Sequence, residues 1–247
     1  MGTLFDISTN KQGLIVYGGE ASSDFGMVVA EAPTFEQPQR KQTAFSIPGR
    51  NGAVLFQQDA WEDVSRAYRV YALPSALKRI DEVVGEITSW LNSKTGYQRL
   101  TDNFEPDVFR LAYYSGGNDF TNEMTQFGES TLTFTCRAER FLLTGETAKI
   151  VVNGDTIKNN TKFTAKPLIH IEGTGTVTFS IGAKTITASL TDYINIDCES
   201  LDAYRLPAEN KNGDISGTFP TLAPGTNTIA ITGTVTKATV TPRFFII

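Results

Sequence analysis

The chain has 247 residues, of which 40% are hydrophobic and 20% charged, and its formal net charge is -5. This length and composition are typical of a folded globular chain with one or two domains and exclude a disordered polypeptide. An acidic chain is poorly suited to holding nucleic acid electrostatically, and no apolar run approaches the roughly 20 residues of a membrane-spanning helix. The first residues also lack the basic start and apolar middle of a signal peptide, so we expect no membrane association.

The first distinctive stretch is FSIPGRNGAVL, residues 45–55. In a phosphate-binding P-loop, the last glycine is followed by a lysine, then by Ser or Thr, and then by a helix. Here Gly52 is followed by Ala53, and the next residues have the pattern of a short strand. Pro48 favours an extended residue before it, and Asn51-Gly52 favours a turn with positive φ. The stretch therefore predicts two strands joined by a tight turn, with the Arg50 guanidinium presented at the tip. We predict that this turn is a candidate contact between subunits. The alternative is that it is a simple surface turn. The residues of the turn are Ile47, Pro48, Gly49, Arg50, Asn51 and Gly52.

One long helix is predicted over residues 75–93. Apolar residues recur there in steps of three and four and form a single stripe along the helix; they are Leu77, Ile80, Val83, Val84, Ile87, Trp90 and Leu91. Pro74 and Ser75 mark the start, and Gly96 follows the end, as helix capping requires. Such a helix, about 28 Å long at 1.5 Å per residue, must cover a sheet or contact a partner.

Most of the remaining chain is predicted as strand. Residues 177–181 and 186–190 alternate apolar and polar side chains around Gly182-Ala183-Lys184, which predicts a hairpin. The alternation changes phase between Thr236 and Ala238, which predicts a β-bulge. The apolar segment 244–247 is expected to pair within a sheet.

A change in composition near Thr144-Gly145 predicts two domains, residues 1–143 and 144–247. Both tryptophans and the helix precede the change, whereas short strands and turn signals rich in Thr, Gly and Asn follow it. The spacing of strands in the second half is typical of a β-sandwich.

The chain offers little catalytic or metal-binding chemistry. Cys136 and Cys198 each continue an alternating apolar row, so buried thiols are favoured over a disulfide. His170, the only histidine, lies in a strand pattern without nearby cysteines, which favours a structural or surface role over zinc binding. A nucleophile motif of the G-x-S-x-G type is missing, and Gly173-Thr174-Gly175 lacks the context of a dinucleotide-binding loop.

Two acidic segments do not match a known binding or catalytic motif either. Residues 209–217 lack the ligand spacing and the closing glutamate of a calcium loop. The acidic neighbourhood that follows the predicted hairpin is interpreted as solvated turn residues instead of a glycosidase pair; it contains Asp192, Asp197, Glu199 and Asp202. We therefore predict no catalytic residues, no cofactor and no metal, and expect a protein that is not an enzyme.

The order of several segments resembles the distal tail proteins of siphophages. The segment SIPGRNGAV, the predicted helix and residues 131–145 (TLTFTCRAERFLLTG) carry the resemblance in the first half. In the second half it is carried by KFTAKPLIHIEGTGTV, YINIDCESLDAY, FPTLAPGTNTIAITG and the closing TPRFFII. The resemblance thus covers almost the whole chain.

This resemblance implies a mainly β fold, in which a tail-tube-like, ring-forming β domain with one long helix is followed by a galectin-like β-sandwich. It implies a virion structural protein at the distal end of the tail, made in the bacterial cytoplasm. Its homo-hexameric ring would be the hub that joins the tail-tube protein to the tail-tip protein and to the baseplate or receptor-binding proteins. DNA would pass through the channel of the ring without specific binding.

Two other functions are compatible with the sequence. The protein could be a carbohydrate-binding module for attachment to the host surface, with Tyr193 and Tyr204 as the plausible sugar platforms, since both tryptophans lie in the other half. It could also be the tail-tube protein itself, which is implied to share the architecture of the first domain and polymerises into filaments.

Overall fold

The computed structural model describes residues 13–73, 78–116, 119–123, 127–206 and 209–247. The described chain is mainly β, as predicted, and divides into two units. The N-terminal unit contains the residues up to Arg140 together with Ile247, and the C-terminal unit spans Phe141–Ile246. The boundary predicted from the sequence lies between residues 143 and 144.

The N-terminal unit is built around one antiparallel sheet with the strand order β2-β1-β7-β8-β10-β6-β3. A short strand, β9, also pairs with β10, whereas β4 and β5 form a separate two-stranded sheet. The elements in chain order are β1 (Ile15–Tyr17), β2 (Glu20–Ala21), a 3₁₀ helix (Ser22–Phe25), β3 (Met27–Val29), β4 (Arg40–Ser46), β5 (Ala53–Trp61), β6 (Val64–Ala72), helix α1 (Ile80–Ser93), β7 (Gln98–Asp102), β8 (Val108–Tyr114), β9 (Thr121–Glu123) and β10 (Phe127–Leu142).

Helix α1 ends at Ser93, as predicted, but begins at Ile80 instead of residue 75. Lys78 and Arg79 are not helical, and the expected start at Pro74 and Ser75 lies outside the described residues. Arg79 has an extended backbone, and its N–H donates to Glu82 Oε2 at 3.3 Å, so the cap is formed here. The apolar stripe locates the buried face of a helix, whereas capping determines where the helix begins. Fourteen residues give a helix about 21 Å long.

The predicted stripe of α1 is the face that packs into the core of the N-terminal unit. Its buried members are Ile80, Val83, Ile87, Trp90 and Leu91. The Trp90 indole N–H donates to the Tyr17 carbonyl at 3.2 Å, and its ring stacks on Phe25 with centroids 4.8 Å apart. The helix therefore covers the sheet of its own unit.

The C-terminal unit is an antiparallel assembly with the strand order β11-β18-β13-β14-β17. On one side β12 pairs with β18, and β15 pairs with both β13 and β16. The elements are β11 (Lys149–Ile150), β12 (Thr156–Asn159), β13 (Leu168–Ile181), β14 (Lys184–Leu190), β15 (Tyr193–Asp197), β16 (Asp202–Tyr204), β17 (Ile215–Gly217), β18 (Gly225–Thr241) and β19 (Phe245–Ile246), with short 3₁₀ helices at Leu143–Gly145 and Asn212–Asp214. Whether this unit is a galectin-like sandwich stays a prediction.

Three local predictions in the C-terminal half are confirmed. Strands β13 and β14 form the hairpin, with Ile181 opposite Lys184. The bulge lies at Thr236, because Glu172 pairs with Lys237 whereas Gly173 pairs with Val235. A Cβ at Gly173 would lie 2.3 Å from the Thr234 carbonyl oxygen, so only glycine fits beside the bulge. The closing apolar segment forms β19, which pairs with β10.

Both cysteines are free and buried, as predicted. Cys136 lies in the core of the N-terminal unit, and Cys198 lies in that of the C-terminal unit. Burial raises the pKa of each thiol to about 12. At neutral pH both groups are therefore protonated and behave as small apolar side chains.

Candidate assembly surface

Strands β4 and β5 form a two-stranded arm, defined here as residues 40–61. Within the described chain they pair with each other and with no other strand. Every residue of β4 is exposed, and so are residues 53–58 of β5. A two-stranded ribbon is marginal by itself and normally needs a third strand or a packed face for stability. The arm therefore presents backbone edges and side chains for further contacts.

The tip of the arm is the predicted tight turn. The Arg50 N–H donates to the Ile47 carbonyl at 3.1 Å, which closes a four-residue turn with Pro48 at its second position. Gly49 follows with φ +79°, the conformation that a type II turn requires at its third position and that glycine adopts at little cost. Gly52 also has a positive φ, +80°. All six predicted contact residues, 47–52, are exposed at this tip.

The two faces of the arm differ in chemistry. Phe45 lies opposite Val54 and Thr43 lies opposite Phe56, so these four side chains share one face, which we call the apolar face. Phe45 is 57% exposed and Phe56 is 63% exposed. Large apolar side chains that are exposed together on one face are typical of interaction surfaces.

The opposite face of the arm carries small and uncharged side chains. It is formed by the pairs Gln42–Gln57, Ala44–Leu55 and Ser46–Ala53. Leu55 is its only large apolar member and is 53% exposed. We call this surface the small-residue face; it gives a partner much less apolar area than the apolar face does.

Contacts at the base of the arm hold its two strands together. The Arg40 guanidinium lies 4.6 Å from the centroid of the Trp61 ring, which joins the start of β4 to the end of β5. The Glu62 N–H donates to the Gln39 carbonyl at 2.9 Å, just beyond both strands. These contacts close the ribbon at the end opposite to its tip.

The N-terminal unit contains a buried ionic cluster that was not predicted from the sequence. Arg66 Nη2 donates to Asp102 Oδ2 at 2.8 Å and lies 3.0 Å from Glu105 Oε2, and the Tyr68 hydroxyl donates to Asp102 at 2.6 Å. Arg110 also pairs with Glu105. Because the partners are far apart in sequence, no local pattern could have linked them.

Burial alone would raise the pKa of the Asp102 carboxyl. The hydrogen bond from Tyr68 and the neighbouring Arg66 charge outweigh that effect, so the pKa of Asp102 is lowered. The pKa of the Tyr68 hydroxyl is raised, first by burial and then by the Asp102 charge. The carboxylate is therefore ionised while Tyr68 keeps its proton, and the cluster is held together by charge-assisted hydrogen bonds.

The other residues singled out in the sequence lie in the C-terminal unit. His170 is half-buried, with Nδ1 2.8 Å from Asn195 Oδ1 and Nε2 3.2 Å from Glu172 Oε1, an arrangement that joins neighbouring strands. The ring of Tyr193 contacts His170, at 5.4 Å between centroids, and the Arg205 guanidinium. The hydrogen bonds of His170 fit the structural role expected of it.

The acidic neighbourhood is dispersed among separate partners. Asp197 accepts a bidentate pair of hydrogen bonds from Arg243 at 2.7 and 2.9 Å, and Asp202 accepts one from the Asn212 side chain at 2.7 Å. Glu199 lies 3.5 Å from Lys166 Nζ. Across the described ranges, no three His, Cys, Asp or Glu side chains are grouped so that they could hold a metal ion. In the same ranges, no helix is both long and apolar enough to cross a lipid bilayer.

Most of the N-terminal unit is similar to a known protein family. Residues 22–136 match the family model of the phage tail protein RIFT-related domain. The arm, helix α1 and all the named residues of the ionic cluster lie within the matched residues. A search of curated protein sequences found no match.

Two solved structures extend the similarity to the whole fold. The Dit (gp 19.1) protein of phage SPP1, described as a paradigm of the hub adsorption apparatus in phages that infect Gram-positive bacteria, matches with a TM-score of 0.74 and 13% identity. The match covers 95% of this chain and 99% of the SPP1 protein. A chain of the phage p2 baseplate in its activated conformation with Sr matches with a TM-score of 0.54 and 12% identity, covering 93% and 96%. Together with the RIFT-related domain, these matches confirm the resemblance to siphophage distal tail proteins.

Proposed function

We propose that this protein is a structural component of the phage tail, the distal tail hub. Copies of the chain form a hexameric ring that joins the tail-tube protein to the tail-tip protein and the baseplate or receptor-binding proteins. The ring leaves a channel through which DNA passes during ejection, and the protein works without catalysis. The RIFT-related domain and the fold shared with the SPP1 and p2 proteins support this role.

The observation that carries the proposal is the exposed apolar face of the arm. In a single chain, Phe45 and Phe56 are more than half exposed and Val54 is 39% exposed, which is unfavourable for apolar side chains of this size. A neighbouring copy that covers this face removes the penalty and gives the arm the further packing that a two-stranded ribbon needs. Residues 47–52 then lie at or near the contact between subunits, as the sequence analysis suggested.

The division into two units corresponds to two tasks in this proposal. The N-terminal domain, residues 1–143, forms the ring, and the C-terminal domain, residues 144–247, is a galectin-like sandwich that faces other tail components. A closed ring requires a heterologous contact, in which one surface of each copy meets a different surface of the next. The assembled protein is located at the distal end of the tail in the virion.

Electron microscopy of the purified protein tests this function. We expect sixfold rings with a central opening, and mass photometry should show one assembled species at six times the chain mass. Filaments of stacked rings would instead favour a tail-tube protein. A strict monomer at high concentration would refute the proposal.

A further inference from the structure

A shallow and open groove lies beside helix α1. The groove has a volume of about 610 Å³, lies within the N-terminal unit and has a mainly apolar floor that includes Phe25 and Trp90. Three carboxylates, Glu20, Glu82 and Glu86, are on its rim. No cationic side chain lines the groove itself, although Lys94 pairs with Glu20 and Lys78 pairs with Glu86.

Gly85 gives a second and independent indication of a partner at this groove. It lies in the middle of α1, where glycine destabilises a helix relative to alanine. Gly85 is exposed, and a Cβ added there would meet no heavy atom within 4 Å. Packing within the described chain therefore does not require glycine at this position. Close approach of another molecule to the helix backbone would require it.

The charge of the arm is opposite to that of the remainder of the chain. The arm carries Arg40, Lys41 and Arg50 against a single carboxylate, a net charge of +2, whereas the whole chain has a net charge of -5. The remainder of each copy is therefore acidic, and opposite charges favour contact between the arm of one copy and the body of another. The apolar side chains at the end of the arm match the floor of the groove.

We infer that the tip of the arm, around Ile47 and Arg50, binds in the Gly85 groove of the next copy. This inference rests on the proposed ring and names the two surfaces that meet. Because arm and groove are different surfaces of the same unit, each copy both gives and receives an arm, which is the heterologous contact of a ring. The apolar tip residues lie over Phe25, and Arg50 lies near the carboxylates of the rim.

Disulfide crosslinking tests which surfaces meet. In the double variant Ile47→Cys/Ser89→Cys, one cysteine lies on the arm and the other lines the groove. Two cysteines can be joined only where their Cα atoms come within about 7 Å. Mild oxidation should give a ladder of products up to six chains on a non-reducing gel. The native cysteines will not compete, because both are buried and their pKa is raised to about 12.

The matched control is Ile47→Cys/Thr131→Cys. Thr131 is exposed on β10, between the buried residues Ser130 and Leu132, and thus on the other face of the sheet. We expect no ladder from this variant. If electron microscopy shows rings but the Ser89→Cys variant crosslinks no more than the Thr131→Cys variant, the arm does not bind in the groove. The proposed ring would still stand in that case. Monomers in micrographs of the unmodified protein would refute the ring and, with it, this inference.

Filling the groove provides a test that does not depend on crosslinking. Gly85→Leu replaces a poor helix former with a good one, so the isolated chain should unfold at the same or a higher temperature. The new side chain occupies the groove, and assembly should weaken at least about tenfold in concentration. Thr88→Leu is the control, because Thr88 is exposed on the same helix but does not line the groove. Equal assembly of the two variants would contradict the inference.

Discussion

Replacing Phe56 with serine should weaken assembly without destabilising the chain. Phe56 is 63% exposed on the apolar face of the arm. A phenylalanine side chain buries about 200 Å² when fully covered, so a partner that covers the exposed part removes about 120 Å² from water. At about 25 cal/mol per Å², this contributes roughly 3 kcal/mol to each contact. Losing it corresponds to an increase in the dissociation constant of about 100-fold.

Leu55→Ser is the matched control for this experiment. Leu55 is adjacent in sequence and 53% exposed, but its side chain lies on the small-residue face. If a neighbouring copy covers only the apolar face, the Leu55→Ser variant should assemble at about the same concentration as the unmodified chain. Because both side chains are largely in water in the single chain, neither substitution should change the free energy of unfolding by more than about 0.5 kcal/mol.

The assay is sedimentation velocity over a concentration series at fixed salt, with fluorescence of the buried Trp90 as the check on folding. The reasoning would be refuted if Phe56→Ser assembled at concentrations within about threefold of the unmodified chain, a difference below 1 kcal/mol. Equal weakening by Phe56→Ser and Leu55→Ser would also contradict it, because it would mean that both faces of the arm are covered.

Three further predictions concern stability and reactivity. Asp102→Asn should lower the free energy of unfolding of the N-terminal unit by about 3 kcal/mol, because it leaves Arg66 buried with less compensating charge. The control is Asp81→Asn, at an exposed ion pair, which should lower that free energy by less than about 1 kcal/mol. Urea titration followed by tryptophan fluorescence measures both effects, because this unit contains both tryptophans. The pKa of Asp197 is lowered despite burial, chiefly by its hydrogen bond from Arg243, so its stabilisation should be complete above about pH 5 and lost as the pH falls through the lowered value. Hydrogen exchange of β13 amides, corrected for intrinsic rates, should show this loss in the unmodified chain and a flatter profile in Arg243→Gln. Both native thiols should resist a thiol reagent at pH 8 and react fully in denaturant; fast reaction of the folded protein would show that one of them is accessible.

Local patterns in the sequence predicted those features that local physics decides. The β13–β14 hairpin follows from alternation on either side of a turn, and the bulge at Thr236 follows from a change of phase within one strand. The buried stripe of α1 follows from its periodicity, but the start of the helix at Ile80 depends on the cap at Arg79, which periodicity does not reveal.

The ionic cluster shows what sequence patterns cannot reveal. Arg66 and Asp102 are 36 positions apart and come together only because their strands belong to one sheet. A single charged residue in a strand is normally interpreted as solvent-exposed, so nothing in the sequence marks either of them as buried. Their pairing is a consequence of the tertiary fold, and it could be recognised only after the strand order was known.

The arm connects sequence, structure and function in a different way. Alternating apolar residues in a strand ordinarily predict a face that is buried in the same chain. In the arm, the pairing of β4 with β5 places Phe45, Val54 and Phe56 on one face, yet all three are exposed in the single chain. The pattern is therefore consistent with a face that is buried only when another molecule covers it. Of the surfaces described here, the Gly85 groove supplies both an apolar floor and an acidic rim for such a contact, which is why we propose that a second copy of the chain is the partner.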